Sequence, residues 1–351
     1  MSHPTSITTH AFSTSARERI DDYVRRAGLG AADDVVALTP DASTREYFRI
    51  PWRGATAVAA VYPEPFDPEV HPFIDVTRLF EAAKLPVPSI LEVDAGVGII
   101  VQEDLGDRQL RRVFETATED EREAYVERAV QLIADLQAAT QLAYERGSIA
   151  SRLAFDEAKL SWELDYFVEH YFKSYRHEQL SHGDEAQLRA ELNDVASELA
   201  ARPRVLCHRD YHSSNLIVDS EDRLRVIDHQ DARMGPASYD LVSLLLDRQT
   251  SIPSLAEIRL RRLFFLEERR SRGLEEIAAE EFASEFRLMT VQRCLKACGT
   301  FSYQSGVCGR SAAYGQFIEP MLLIASQAAE WLNRFPVLRS VIAARVRSDA
   351  G

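Results

Sequence analysis

The stretch His208-Arg209-Asp210-Tyr211-His212-Ser213-Ser214-Asn215 sets an acid and an amide on one polar loop, and Ile227-Asp228-His229-Gln230-Asp231 ends an apolar run in two further carboxylates. Phosphoryl transfer asks for such groups. It needs little covalent help, only a carboxylate that orients the attacking hydroxyl and oxygen ligands that hold magnesium against the phosphates. Asp210 suits the first task, and Asn215 and Asp228 suit the second, because hard magnesium takes few protein oxygens beside nucleotide phosphates. Asp231, just after Asp228, is a candidate for a second metal or the acceptor, and His212 is a candidate acceptor contact on the loop itself. A different chemistry draws on the same stretch: His208, Asp210, His212, His229 and Asp231 could gather a transition metal for hydrolysis. Neutral Asn215 has no role in that reading, which favours phosphoryl transfer.

These residues need elements to position them. VLCH, LIVD and LRVID bracket polar turns at 209–214 and 220–223, which predicts strands inside an otherwise helical region. Gly235-Pro236-Ala237-Ser238-Tyr239-Asp240-Leu241 then opens a helix, with Asp240 in the first turn, where the dipole favours a carboxylate. Upstream, Ser15 and Glu18 form a capping box for a first helix that Gly28 and Gly30 end. Three β-rich runs follow between Val35 and Val61, then helical spacing from Phe73 to Lys84, then strand-like runs at Ser89–Val93 and Gly98–Gln102. Beyond Glu103 the pattern is largely helical, beginning with a capping box at Thr118 and Glu121 and an apolar stripe at Tyr125, Val126, Ala129, Leu132, Ile133 and Leu136. The fold class is therefore α+β in two lobes: residues 1–104 as a small β-rich lobe with a five-stranded sheet and one main helix, and residues 105–351 as a larger, mostly helical lobe. Within the second, Leu160, Glu163, Phe167 and Tyr171 lie near helical spacing, so Glu163 and Phe167 are candidates to line an acceptor pocket, with core packing the alternative for the rings.

Composition narrows the function classes. A net charge of −14 over 351 residues argues against a nucleic-acid surface. No apolar run approaches a membrane span, and the start MSHPTSITTHAF lacks the basic and apolar regions of a signal peptide, so a cytoplasmic protein without membrane partners is expected. The four cysteines have no framework spacing; Cys294 and Cys298, one helical turn apart, read as core.

The order strand, polar loop, Asn, hairpin, strand, Asp and helix start, with the H-R-D-x-x-x-x-N spacing of a kinase catalytic loop, resembles the aminoglycoside phosphotransferase and choline kinase superfamily. That resemblance implies a protein-kinase-like two-lobed fold, ATP and Mg2+ as cofactors, Asp210 as the catalytic aspartate, Asn215 and Asp228 as metal ligands, and Asp240 as a buried anchor of the loop. Three further stretches, Asp41–Arg49, Glu103–Asp107 and Gln292–Lys296, are similar to those of bacterial N-acetylmuramate/N-acetylglucosamine kinases, which phosphorylate the anomeric hydroxyl. By this likeness Ser43 and Thr44 cradle phosphate, Glu103, Asp104 and Leu105 form the hinge that reads adenine, Arg293 and Lys296 face the substrate, and the pathway is peptidoglycan recycling. The pattern also departs from kinases: Ala55–Tyr62 carries no lysine for the phosphates, and no G-x-G-x-x-G loop is present. Arg45 and Arg49 are near enough in sequence to supply the charge, and Arg45 is expected to contact phosphate. The missing lysine keeps a non-catalytic pseudokinase as an alternative, beside aminoglycoside- or choline-type kinases. A sugar and a nucleotide are the expected partners, and a monomer or weak dimer the expected state; ATP against GTP is open.

Overall fold

Ser15 and Glu18 close the predicted box reciprocally: the Ser15 hydroxyl accepts the Glu18 N–H at 3.2 Å and the Glu18 carboxylate accepts the Ser15 N–H at 2.8 Å, starting helix α1 (Ala16–Arg26). The structure, a computed structural model, describes residues 14–38, 45–248 and 254–346. Strands β1 (Val36–Leu38), β2 (Glu46–Trp52), β3 (Ala55–Val61), β4 (Ile90–Asp94) and β5 (Ile99–Glu103) form the expected five-stranded sheet, antiparallel throughout in the order β1-β2-β3-β5-β4. Their alternation sorts the side chains by face. Phe48, Ile50, Ala57, Ala59, Ile99 and Val101 pack with Ile20, Tyr23 and Val24 of α1, whereas Ile100 packs with Phe73 and Ile74 of helix α2 (Pro72–Ala82).

Four more strands follow: β6 (Arg204–Cys207), β7 (Leu216–Val218), β8 (Leu224–Val226) and β9 (Arg233–Pro236). The chain divides into two compact units, one running to Leu110 and including Leu216–Gln230, the other comprising Arg111–Asn215 and the chain from Asp231 onward. The β7–β8 hairpin is bonded into the first unit: the Val218 N–H reaches the Arg108 carbonyl and the Val226 N–H the Pro86 carbonyl, each at 2.8 Å. Arg225 adds a two-pronged bond to the Glu103 carboxylate at 2.7 and 3.0 Å. Asp228 thus belongs to the first unit, and the loop with Asp210 and Asn215 to the second.

The second unit is helical: α3 (Leu110–Thr116), α4 (Glu119–Ala138), α5 (Thr140–Glu145), α6 (Ile149–Arg152), α7 (Glu157–Phe167), α8 (His182–Ala200), α9 (Tyr239–Leu246), α10 (Leu255–Ser271), α11 (Ala279–Gly306), α12 (Ser311–Tyr314), α13 (Ile318–Trp331) and α14 (Pro336–Val346). Thr118 and Glu121 cap α4 as expected, but its buried face is turned toward Val130 and Ala134, with Val126 and Leu132 only half-buried. Two features depart from the sequence reading. Arg233–Pro236 is a strand paired with β6 that the sequence reading did not see, since Met-Gly-Pro shows no alternation and Leu206 supplies the partner for Met234, and the expected helix then starts at Tyr239 with Asp240 in its first turn. The helical spacing from Leu160 to Tyr171 continues as a π-helical turn at Val168–Tyr175. There the backbone lies so close to α11 that a Cβ on Gly299 would stand 2.8 Å from the Phe167 Cα, and one on Gly306 2.6 Å from the Ser174 carbonyl oxygen. Among the described residues no helix is long and apolar enough to cross a membrane.

Candidate active site

Strand β6 delivers the chain to His208, and α9 catches it there. The buried Asp240 carboxylate accepts the N–H groups of His208 at 2.7 Å and Arg209 at 3.1 Å, spanning a residue held at φ +88°. Such a conformation persists only where the surroundings impose it. Burial raises the Asp240 pKa, against the opposing pull of His208 and the two N–H bonds. Tyr211 ties the loop to α4 by donating to the Ala129 carbonyl at 3.0 Å. The loop then closes on the backbone of Asp210, whose carbonyl oxygen accepts the Asn215 side-chain amide at 2.9 Å and the His212 N–H at 3.1 Å. The Asp210 carboxylate, 26% exposed, has Lys296 Nζ of α11 at 3.5 Å and an Arg209 nitrogen at 3.6 Å. Burial pushes this carboxyl up, but Lys296, then Arg209 and Arg293, outweigh it and hold the group well below the usual carboxylate range. Arg209 also pairs with Asp231 at 2.8 Å.

Helices α7 and α11 supply a second cluster in this unit. Glu163, 1% exposed, accepts from the Gln292 side-chain amide at 2.8 Å on one oxygen. Its other oxygen has no hydrogen-bond partner among the described residues, with the Lys159 ammonium at 3.7 Å, and the Gln292 carbonyl oxygen is likewise buried and unbonded. Burial and then His212's cationic neighbours Arg248 and Arg293 lower the His212 pKa, against Asp247 and Asp210, and its Nδ1 is buried without a hydrogen-bond partner among the described residues. Arg293 is held from α9. It is 3% exposed, and its guanidinium is engaged by the Tyr239 hydroxyl at 2.9 Å, the Ser243 hydroxyl at 2.7 Å and Asp247 at 3.3 Å, so it binds α11 to α9. Phe167 is fully buried beside Tyr171 and Phe172, as the core alternative has it.

In the first unit, Asp228 sits at φ +62° with its carboxylate 42% exposed, accepting from the Gln230 amide at 2.9 Å and lying 3.6 Å from Arg45. Arg45 is held over the rings of Tyr47 and Tyr62. Arg49 grips Asp104 at 2.7 and 3.0 Å and Asp107 at 2.9 Å. Asp104 also accepts from Thr56 at 2.6 Å; Glu103 bonds Arg225, its N–H closes on the Ser89 carbonyl at 2.9 Å, and Leu105 follows half-buried. Ser43 and Thr44 lie outside the described residues. His229 does not join a metal cluster: its Nε2 and the Thr77 hydroxyl share a hydrogen bond at 2.7 Å, and its ring packs on those of Phe73 and Phe80. Among the described residues no group of three His, Cys, Asp and Glu side chains is placed to hold a metal ion, which removes the support for the hydrolytic reading.

The family model described as the phosphotransferase enzyme family matches residues 34–274. The chain belongs to that family. A relative from Neisseria meningitidis serogroup B, named N-acetylmuramate/N-acetylglucosamine kinase, is 27% identical over 88% of this phosphotransferase and 91% of its own length. A relative of the same name from Pseudomonas aeruginosa is 30% identical over 77% of this chain and 76% of its own. Among solved structures, an aminoglycoside phosphotransferase from Ralstonia eutropha, described as putative, superposes with a TM-score of 0.59 at 14% identity, covering 90% of this chain and 98% of that one. The fold class expected from the sequence is thereby confirmed.

Each unit keeps an oxygen donor of the hard kind that magnesium takes. Asn215 spends its NH2 on the Asp210 carbonyl, which leaves its amide oxygen as a hard ligand, and Asp228 keeps a half-open carboxylate. The sequence reading gave Gln292 and Lys159 no role and named Lys296 without its partner. Gln292 lies four positions before Lys296, the spacing of one helix face, and that was the available signal.

Proposed function

We propose that this phosphotransferase moves the γ-phosphoryl group of ATP to the anomeric hydroxyl of an N-acetylated amino sugar of the N-acetylmuramate/N-acetylglucosamine kind, giving the sugar 1-phosphate. The clamped loop that presents the Asp210 carboxylate carries the reading, and the names of the relatives narrow the acceptor. Asp210 orients the hydroxyl and receives its proton as the oxygen–phosphorus bond forms. Asn215 and Asp228 would hold magnesium, which when bound supplies positive charge against the phosphate oxygens. Arg45 grips phosphate in place of the absent lysine, with Ser43 and Thr44 beside it, and the main chain of Glu103, Asp104 and Leu105 reads the adenine edge. The unbonded acceptors on Glu163 and Gln292 suit the hydroxyl and amide N–H donors of a sugar, because buried polar atoms need partners. His212 and Asp231 complete the acceptor side, and Phe167 shapes the wall behind it. Residues 1–104 then serve the nucleotide and 105–351 the acceptor and catalysis, in a cytoplasmic monomer or weak dimer.

The test is nucleotide consumption with magnesium across N-acetylamino sugars, plain hexoses, aminoglycosides and choline, with Asp210→Asn as the blank. Turnover on an N-acetyl sugar that disappears in the blank and yields an acid-labile 1-phosphate is the expected result. Turnover on another acceptor alone discards the sugar, and none on any acceptor discards the kinase.

A further inference from the structure

Lys296 is the cation set nearest to the Asp210 carboxylate. Its Nζ stands 3.5 Å from Oδ1. A committed charge-assisted bond closes to about 2.7–2.9 Å, so this ammonium, with three N–H donors, is not saturated by Asp210. Among the described residues no other carboxylate is paired with it, and its side chain is 19% exposed. Its neighbour Arg293 is turned to α9 and engaged there. Gln292, on the same face as Lys296 one turn earlier, bonds Glu163.

The consequence is geometric. A hydroxyl that Asp210 orients must lie within about 2.6–3.2 Å of the carboxylate. An oxygen at that distance from Oδ1 can lie equally near Nζ, because a triangle with a 3.5 Å base closes easily. The phosphoryl group that lands on this oxygen arrives beside the ammonium.

We propose that Lys296 is a catalytic residue of the transfer, its ammonium donating to the phosphoryl oxygens as the group reaches the acceptor held on Asp210. The proposal rests on the phosphotransferase reading above. In the step, the acceptor oxygen forms its bond to the γ-phosphorus. The bond from that phosphorus to the bridging oxygen breaks, its electron pair leaving with the nucleoside diphosphate. The hydroxyl proton passes to the Asp210 carboxylate and on to solvent. Lys296 gives up no proton; it remains a cation beside the growing charge.

The experiment compares wild type, Lys296→Met, Lys296→Arg and Asp210→Asn in steady-state assays on the best acceptor, after thermal melts have shown which variants fold. Lys296→Met should lose about 10²- to 10³-fold in kcat, the scale for removing one charge-stabilising donor, with nucleotide KM within about threefold of wild type. Lys296→Arg should retain part of the activity. Added ethylamine should raise turnover of Lys296→Met in proportion to its concentration and leave Asp210→Asn unchanged. If Lys296→Met does not fold, Lys296→Arg carries the test through the same split between kcat and KM. An active wild type with Lys296→Met at equal kcat overturns the proposal alone, as does a variant that changes only the KM for acidic acceptors. A wild type inactive on every acceptor overturns the phosphotransferase reading and this proposal with it.

Discussion

At Arg45 and Asp228 two distant stretches of sequence bring opposite charges within 3.6 Å. Burial works against the Arg45 charge, but Tyr47, Tyr62 and Asp228 keep it firmly protonated, so the position always presents a cation. A charge-assisted bond of about 1.5–3 kcal/mol corresponds to roughly 10- to 100-fold in affinity. Arg45→Ala should therefore raise nucleotide KM by about tenfold or more, measured at saturating acceptor; an unchanged KM would remove Arg45 from the phosphate grip. His71, at the N-terminus of α2, packs between Tyr62 and Phe66 with its Nδ1 unbonded among the described residues. Burial, then the charge of Arg45, lowers its pKa to about 4. An unfolded histidine takes its proton near pH 6.5 while this one waits until about 4, so the unfolded state binds more protons in between and stability falls as pH drops through that window. Tm should fall over this range in wild type, and His71→Phe should remove that part of the slope.

The element that matters most to the loop is the first turn of α9. Asp240 satisfies two buried N–H groups and holds Arg209 at positive φ. Asp240→Ala orphans both donors, each worth about 1–3 kcal/mol, so a loss of about 3 kcal/mol is expected in denaturant titration, with Asp240→Asn losing less because one acceptor survives. A loss under about 1 kcal/mol for Ala would show that water replaces the carboxylate. α11 acts at the same scale: its glycines admit the π-helical turn after α7, and that helix sets Gln292 toward Glu163 and Arg293 toward α9.

Taken whole, the chain keeps three of its four cysteines out of water. Cys207, Cys294 and Cys298 are buried, and burial raises each thiol above its ordinary range, while Cys308 is exposed. A thiol reagent under native conditions should titrate one group quickly, and all four once the protein is denatured. Two or more fast groups would mean that the packing around α11 opens readily.

The sequence by itself determined what depends on near neighbours. Capping boxes at Ser15 and Thr118, the strand alternation of residues 46–61 and the polar loop from His208 to Asn215 act within a turn or a strand, so their signals are local and legible. The family likeness rested on the same loop. Tertiary structure alone decided who meets whom. Helical spacing shows that Arg293 and Lys296 lie near each other on α11, but only the packing of α9 and the His208–Asn215 loop turns Arg293 to Tyr239 and Lys296 to Asp210. Likewise Met-Gly-Pro becomes a strand because β6 lies beside it, and Arg49 finds its partners in Asp104 and Asp107. Periodicity encodes which face of an element is buried; it carries no record of the side chain that will be waiting there, because that partner comes from another part of the chain.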